Sequence, residues 1–131
     1  MIILVYHDSD IESHKDLLHT ILQDPKLESK ACEYAIPFIH RPYERQFYDS
    51  IKEVIESHDA NSVLYFHTHN TICFNAFRLL VKQGIVDFNS FKNYYIDDRG
   101  HIKEIGLDRD GRIERYVELG DAADMYLADL L

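Results

Sequence analysis

Histidine occupies alternate positions in His67-Thr68-His69-Asn70, directly after the apolar run Val63-Leu64-Tyr65-Phe66. Residues two apart on a strand point to one face, so both imidazoles can reach a single metal ion. Sites of this kind need a third ligand, usually a carboxylate placed by another segment. No His-x-Asp-His extension follows. His7 and Asp8, at the end of a first apolar run from Ile2 to Tyr6, supply candidates if the two runs are neighbouring parallel strands. Their carboxyl ends then share the sheet edge at which α/β sheets bind ligands. With His40 as a further candidate, this set implies a small metal-dependent hydrolase using a divalent metal. The same histidines serve equally as packing or hydrogen-bonding groups in a chain that needs no cofactor.

Other segments speak mostly by exclusion. The pattern Gly-x-x-x-x-Gly-Lys-Ser/Thr is absent, and the five glycines, at 84, 100, 106, 111 and 120, form no phosphate cradle. A self-sufficient ATPase is therefore excluded. His40-Arg41-Pro42-Tyr43-Glu44-Arg45 is a short basic, aromatic stretch at a helix start. It suits a phosphate or a partner's carboxylate, or else a solvated helix end with internal charge pairs. Asp108-Arg109-Asp110-Gly111 begins like a calcium loop but lacks the third acidic position and the closing glutamate, so it reads as a turn. Cys73 lies on an apolar helical face with no base beside it in sequence and reads as packing.

Fourteen basic residues stand against 23 acidic ones, a formal charge of −9. A phosphate backbone is on balance repelled by such a chain, which argues against direct nucleic-acid binding. Acidity suits a basic protein partner or imitation of DNA, or simply solubility. Two cysteines make no disulfide framework and fit a reduced, cytoplasmic setting. The first residues carry no basic segment and read as a strand instead of a signal peptide. The longest apolar run is too short to span a bilayer.

These groups need a scaffold, and hydrophobic patterning outlines one. Ile2 to Tyr6 is continuous and apolar, as in a strand buried on both faces. Ser9-Asp10-Ile11-Glu12 has the form of a capping box, followed by Ile11, His14, Leu17, Leu18, Ile21 and Leu22 at helical spacing and a stop at Asp24-Pro25. Lys26 to Ile39 shows no clear period. After Pro42 an amphipathic helix carries Phe47, Ile51, Val54 and Ile55 on one face and ends before Asp59-Ala60-Asn61. Ser62 to His67 is a second buried strand, and a helix capped by Asn70 or Thr71 runs to Gly84. Asn93 to Asp97, His101 to Leu107 and Arg112 to Val117 are short strands joined by tight turns, and Asp121 to Leu130 is a last helix. The expectation is one domain spanning residues 1–131, of the α/β class. It has a mainly parallel sheet flanked by helices, with an antiparallel β-hairpin extension near the C-terminus.

From Val63 onward the chain resembles the carboxy-terminal half of bacterial ABC-type, SMC-like AAA ATPases, including those of the OLD and Septu kinds. The likeness rests on Val63-Leu64-Tyr65-Phe66 with Thr68-His69-Asn70, then Phe74-Asn75-Ala76-Phe77-Arg78-Leu79-Leu80-Val81-Lys82-Gln83-Gly84. It continues through Tyr94-Tyr95 and Ile105-Gly106-Leu107-Asp108-Arg109-Asp110-Gly111-Arg112-Ile113. Upstream, Ile39-His40-Arg41-Pro42 with Gln46 and Phe47 is similar to a degraded Leu-His-Pro-x-x-Gln helix start. By this resemblance His69 holds the position of the switch histidine, which in the family contacts the γ-phosphate. The Walker A loop, the acidic pair of Walker B and the signature Ser-Gly motif have no counterparts here. Without them the phosphates lack a cradle and the metal and water lose their carboxylates.

The resemblance therefore implies a non-catalytic, ATPase-lobe-like module that works by binding protein. It would regulate or inhibit a full-length ATPase, or self-associate, in a phage or anti-phage defence setting. His40, Arg41, Tyr43, Arg45 and Arg78 are the expected partner contacts.

Overall fold

A computed structural model of the chain describes residues 1–36, 44–69 and 71–112. Five strands form one sheet in the order β2-β3-β1-β4-β5. They are β1 (Ile2–His7), β2 (Ala31–Ile36), β3 (Val63–Thr68), β4 (Phe91–Ile96) and β5 (Ile102–Glu104). The first four run parallel, and β5 pairs antiparallel with β4 as the second arm of a hairpin. The helices are α1 (His14–Leu22), the single turn α2 (Pro25–Glu28), α3 (Glu44–Ser57) and α4 (Thr71–Lys82). The α/β class, the mainly parallel sheet and the antiparallel hairpin are as the sequence leads one to expect. Among the described residues no helix is long and apolar enough to cross a membrane.

All six residues of β1 are buried because the strand lies between β3 and β4, with helices above and below. Strand alternation divides the core in two. On one face Ile2, Leu4, Tyr6, Leu64 and Phe66 pack against Tyr48, Ile51 and Ile55 of α3 and Phe74, Phe77 and Leu80 of α4. On the other, Ile3, Val5, Val63, Tyr65 and Ile96 pack against Leu17 and Leu18 of α1. Each of the fully buried Phe74 and Phe77 side chains contributes about 1.5–3 kcal/mol by leaving water.

The two helical layers follow from connectivity. The β1-α1-β2 crossover travels one way along the sheet, while β2-α3-β3 and β3-α4-β4 travel the other. Right-handed crossovers then put α1 on the opposite face from α3 and α4. Chains leaving β1 and β3 consequently part in opposite directions, opening a crevice at the carboxyl ends of those strands.

Several boundaries differ from expectation. The N-cap of α1 is Ser13, whose Oγ accepts from the Asp16 amide at 3.2 Å, and not Ser9. Ser9 is engaged elsewhere: its hydroxyl donates to the Asp97 carbonyl at 2.8 Å and ties the loop after β1 to the β4–β5 turn. Ile11 thus precedes the helix, although it still packs on the core. Asp24-Pro25 does more than stop α1, because Asp24 caps α2 and Pro25 occupies its first position. The segment without a clear period contains β2, a strand at one end of the sheet order whose residues from Cys32 to Ala35 are exposed. The expected strand from His101 to Leu107 shortens to β5 at Ile102–Glu104. The strand expected from Arg112 to Val117, apart from Arg112 itself, and the helix expected from Asp121 to Leu130 lie outside the described residues.

Candidate metal centre at the carboxyl edge of the sheet

The pairing register decides which side chains meet. Val5 and Ala35 both stand opposite His67, and Glu33 stands opposite Tyr65. Paired residues share a face and so do residues two apart, so Glu33, Tyr65 and His67 all face α1. His14, the first residue of α1 after its cap, meets them from above. His14, Glu33 and His67 form a group able to hold a metal ion, each offering one donor atom within 4.8 Å of the others.

One carboxylate oxygen, Oε1 of Glu33, lies 2.9 Å from His67 Nε2 and 3.6 Å from His14 Nε2. Ligand atoms on a tetrahedral zinc at 2.0–2.1 Å stand about 3.3 Å from one another. The observed separations straddle that spacing. The other nitrogen of His14, Nδ1, lies 2.8 Å from the Tyr65 hydroxyl, which orients the ring and leaves Nε2 turned toward the group. Burial pushes the Tyr65 phenol well above its ordinary range, with the Glu33 charge adding to the rise. It therefore stays protonated and neutral. Burial holds His67 below the ordinary imidazole value, against the opposing hydrogen bond that it donates to the Glu33 carboxylate. A neutral imidazole is the form that binds metal.

His7 ends β1 beside this group, its ring centroid 5.7 Å from that of His67 and 3.8 Å from that of His69. Its Nδ1 lies 2.9 Å from the Ser9 carbonyl, an acceptor only, so Nδ1 carries the proton and the lone pair is on Nε2. That Nε2 is buried and, among the described residues, has no hydrogen-bond partner. Burial also holds the His7 imidazole below its ordinary value. His69 follows β3, exposed, with Nε2 3.9 Å from Asp10 Oδ1.

A separate groove of about 590 Å³ lies between the loop after β1, α1 and the β4–β5 turn, and none of His7, His14, Glu33, His67 or His69 lines it. Asp10, Glu12, Asp16 and Asp98 line it, with Arg99 as a lone cation among the lining residues. Its acidity attracts cations and disfavours anionic substrates.

The histidines expected at the strand ends, His7, His67 and His69, are thus brought together. Asp8 is not with them: its carboxylate accepts the Tyr95 hydroxyl at 2.5 Å, and Tyr95 belongs to the core on the other face. Arg78, expected on a partner surface, is buried at 1% exposure, and its Nε donates to the Gly111 carbonyl at 2.7 Å. His40, Arg41 and Tyr43 lie outside the described residues, as do the side chains of Arg45 and Cys73. Sequence reasoning does not reach two members of this group. His14 was counted toward a helical stripe, and Glu33 sits in the segment without a clear period. The available signal was Pro37, which ends a strand-compatible Ala31 to Ile36. No spacing rule links 14, 33 and 67. No family model, no curated protein and no solved structure matches this chain.

Proposed function

We propose that the chain is a metal-dependent hydrolase-type domain that binds a zinc-like divalent ion through His14, Glu33 and His67. The observation that supports this reading is the convergence of two imidazoles and one carboxylate from three separate elements. Imidazole-rich ligand sets favour zinc, iron, nickel or copper over calcium and magnesium. Two histidines and a carboxylate leave a coordination position open, the arrangement of catalytic zinc sites, where a bound water ionises near pH 7.

The test is metal content and activity together. Purified protein loaded with Zn²⁺ or Mn²⁺ and dialysed should retain metal, and His67→Ala or Glu33→Gln should lower affinity at least about 100-fold. Hydrolysis of activated neutral esters or amides should require the metal. Protein that retains none of these ions sinks the reading.

A second reading rests on the order of elements around His69. An apolar strand, then Thr68-His69, then a helix beginning at Thr71, is the arrangement in which the ATPase resemblance places the switch histidine. On that reading the chain is a non-catalytic lobe that docks on a full-length ATPase. Co-purification of a larger ATPase, lost in His69→Ala, supports it, and a chain that captures none and remains monomeric contradicts it.

A further inference from the structure

We propose that His7 and His69 hold a second divalent cation beside the first, with Asp10 as the third ligand. The inference deepens the metal-centre reading and rests on it for the neighbouring ion. Its starting point is the His7 ring, buried to 5% exposure, with an Nε2 lone pair that meets no donor among the described residues. A buried acceptor without a partner is uncommon, and each instance needs an explanation. The Nδ1 hydrogen bond to the Ser9 carbonyl locks the tautomer that exposes this lone pair to its surroundings. Metal-ligating histidines show the same arrangement, one nitrogen on the ion and the other donating to a carbonyl or carboxylate.

The group packed on that ring is another imidazole, His69, at a centroid separation of 3.8 Å and an angle of 53° between planes. At this separation the rings touch and no ion fits between them, so His69 must swing off the His7 ring for both to bind one cation. His69 is exposed and Asp10 fully so, with 3.9 Å between Nε2 and Oδ1, so both can reorient; their donors and that of His7 do not already stand as close as those of the first group. The set of two imidazoles and one carboxylate repeats the composition of the first group and selects the same class of ion. His7 and His67 stand 5.7 Å apart between ring centroids, so the two positions are near neighbours. Paired ions in hydrolytic sites lie about 3.5–4 Å apart and clamp attacking and leaving oxygens. The strand register accounts for the proximity: His7 and His69 each lie two residues beyond the paired Val5 and His67.

The experiment counts ions. Full-length protein is titrated with Co²⁺, with stoichiometry from elemental analysis and geometry from the visible d–d absorption. His69→Ala and Glu33→Gln are run in parallel, both at exposed side chains, with far-ultraviolet circular dichroism confirming the fold. The expected result is two ions per wild-type chain, one in His69→Ala and one in Glu33→Gln, each variant losing a different part of the spectrum. Asp10→Asn should weaken the same ion as His69→Ala at least tenfold. One ion in the wild type, lost in Glu33→Gln and kept in His69→Ala, overturns the second position and leaves the first intact. One ion lost in His69→Ala alone removes the first group and keeps the pair proposed here. Two ions retained in His69→Ala overturn the proposal, and no ion in the wild type overturns both.

Discussion

Tyr65 makes the clearest case for what a single side chain does here. It is fully buried on the α1 face, and its hydroxyl lies 2.8 Å from His14 Nδ1. Its ring fills core space, and its hydroxyl fixes the orientation of the His14 ring. Tyr65→Phe keeps the ring and removes the orienting bond. We expect metal affinity to fall about 10–100-fold, with stability lowered by about 1 kcal/mol. Competition against a chromogenic chelator measures the first and denaturant unfolding the second. Unchanged affinity would mean that His14 is positioned by packing alone. The pair His67 and His69 was legible in the sequence because alternate residues on a strand share a face whatever the sheet around them. Glu33 was not, because the exposed strand that carries it lacks the apolar run by which buried strands are recognised.

Between elements, the turn from Asp108 to Arg112 is anchored to α4 by an unusually close backbone approach. Gly111 has φ +76°, and a Cβ there would collide with the Arg78 backbone carbonyl. In return the Arg78 guanidinium, packed beside Phe74, donates to the Gly111 carbonyl. Gly111→Ala combines a left-handed backbone with a steric clash against a helix, and we expect it to destabilise the fold by more than about 2 kcal/mol. Chemical denaturation checks this, and a change below about 0.5 kcal/mol would contradict the close approach. The sequence showed Asp108 to Gly111 as a turn. It did not show that the turn docks on α4, and for that reason Arg78 was read as a surface contact. The cap of α1 has the same explanation. Ser9 and Ser13 both suit an N-cap, and the long-range bond from Ser9 to Asp97 selects Ser13.

For the described residues as one folding unit, the three residues proposed to hold an ion come from positions 14, 33 and 67 on α1, β2 and β3, so binding of an ion there would be coupled to folding. At about 100 times the dissociation constant an ion adds about 2.7 kcal/mol of stability, on the order of 10 °C in melting temperature for a domain of this size. A melt with and without Zn²⁺ should show that rise, and Glu33→Gln should abolish it. The apo protein should also be sensitive to mild acid. His7 and His67 both have native pKa values below the unperturbed 6.5, chiefly through burial. As pH falls below about 6.5 the unfolded chain takes up protons that the native state resists. The stability these groups contribute is complete above that pH and declines through the lower native values. Melts in chelator should therefore be flat from about pH 8 to 7 and fall toward pH 5.5. A rising midpoint over that range would show that these histidines are not held neutral.

Local patterning alone established β1, β3, α3 and α4, because apolar runs and helical spacing need no knowledge of distant residues. It also excluded a phosphate-binding loop, since that motif is contiguous. Neighbour relations could not be read locally. The order β2-β3-β1-β4 is chosen by how the two helical layers bury both sheet faces. That order, acting over tens of residues, sets Glu33 beside His67 and brings His14 down onto both.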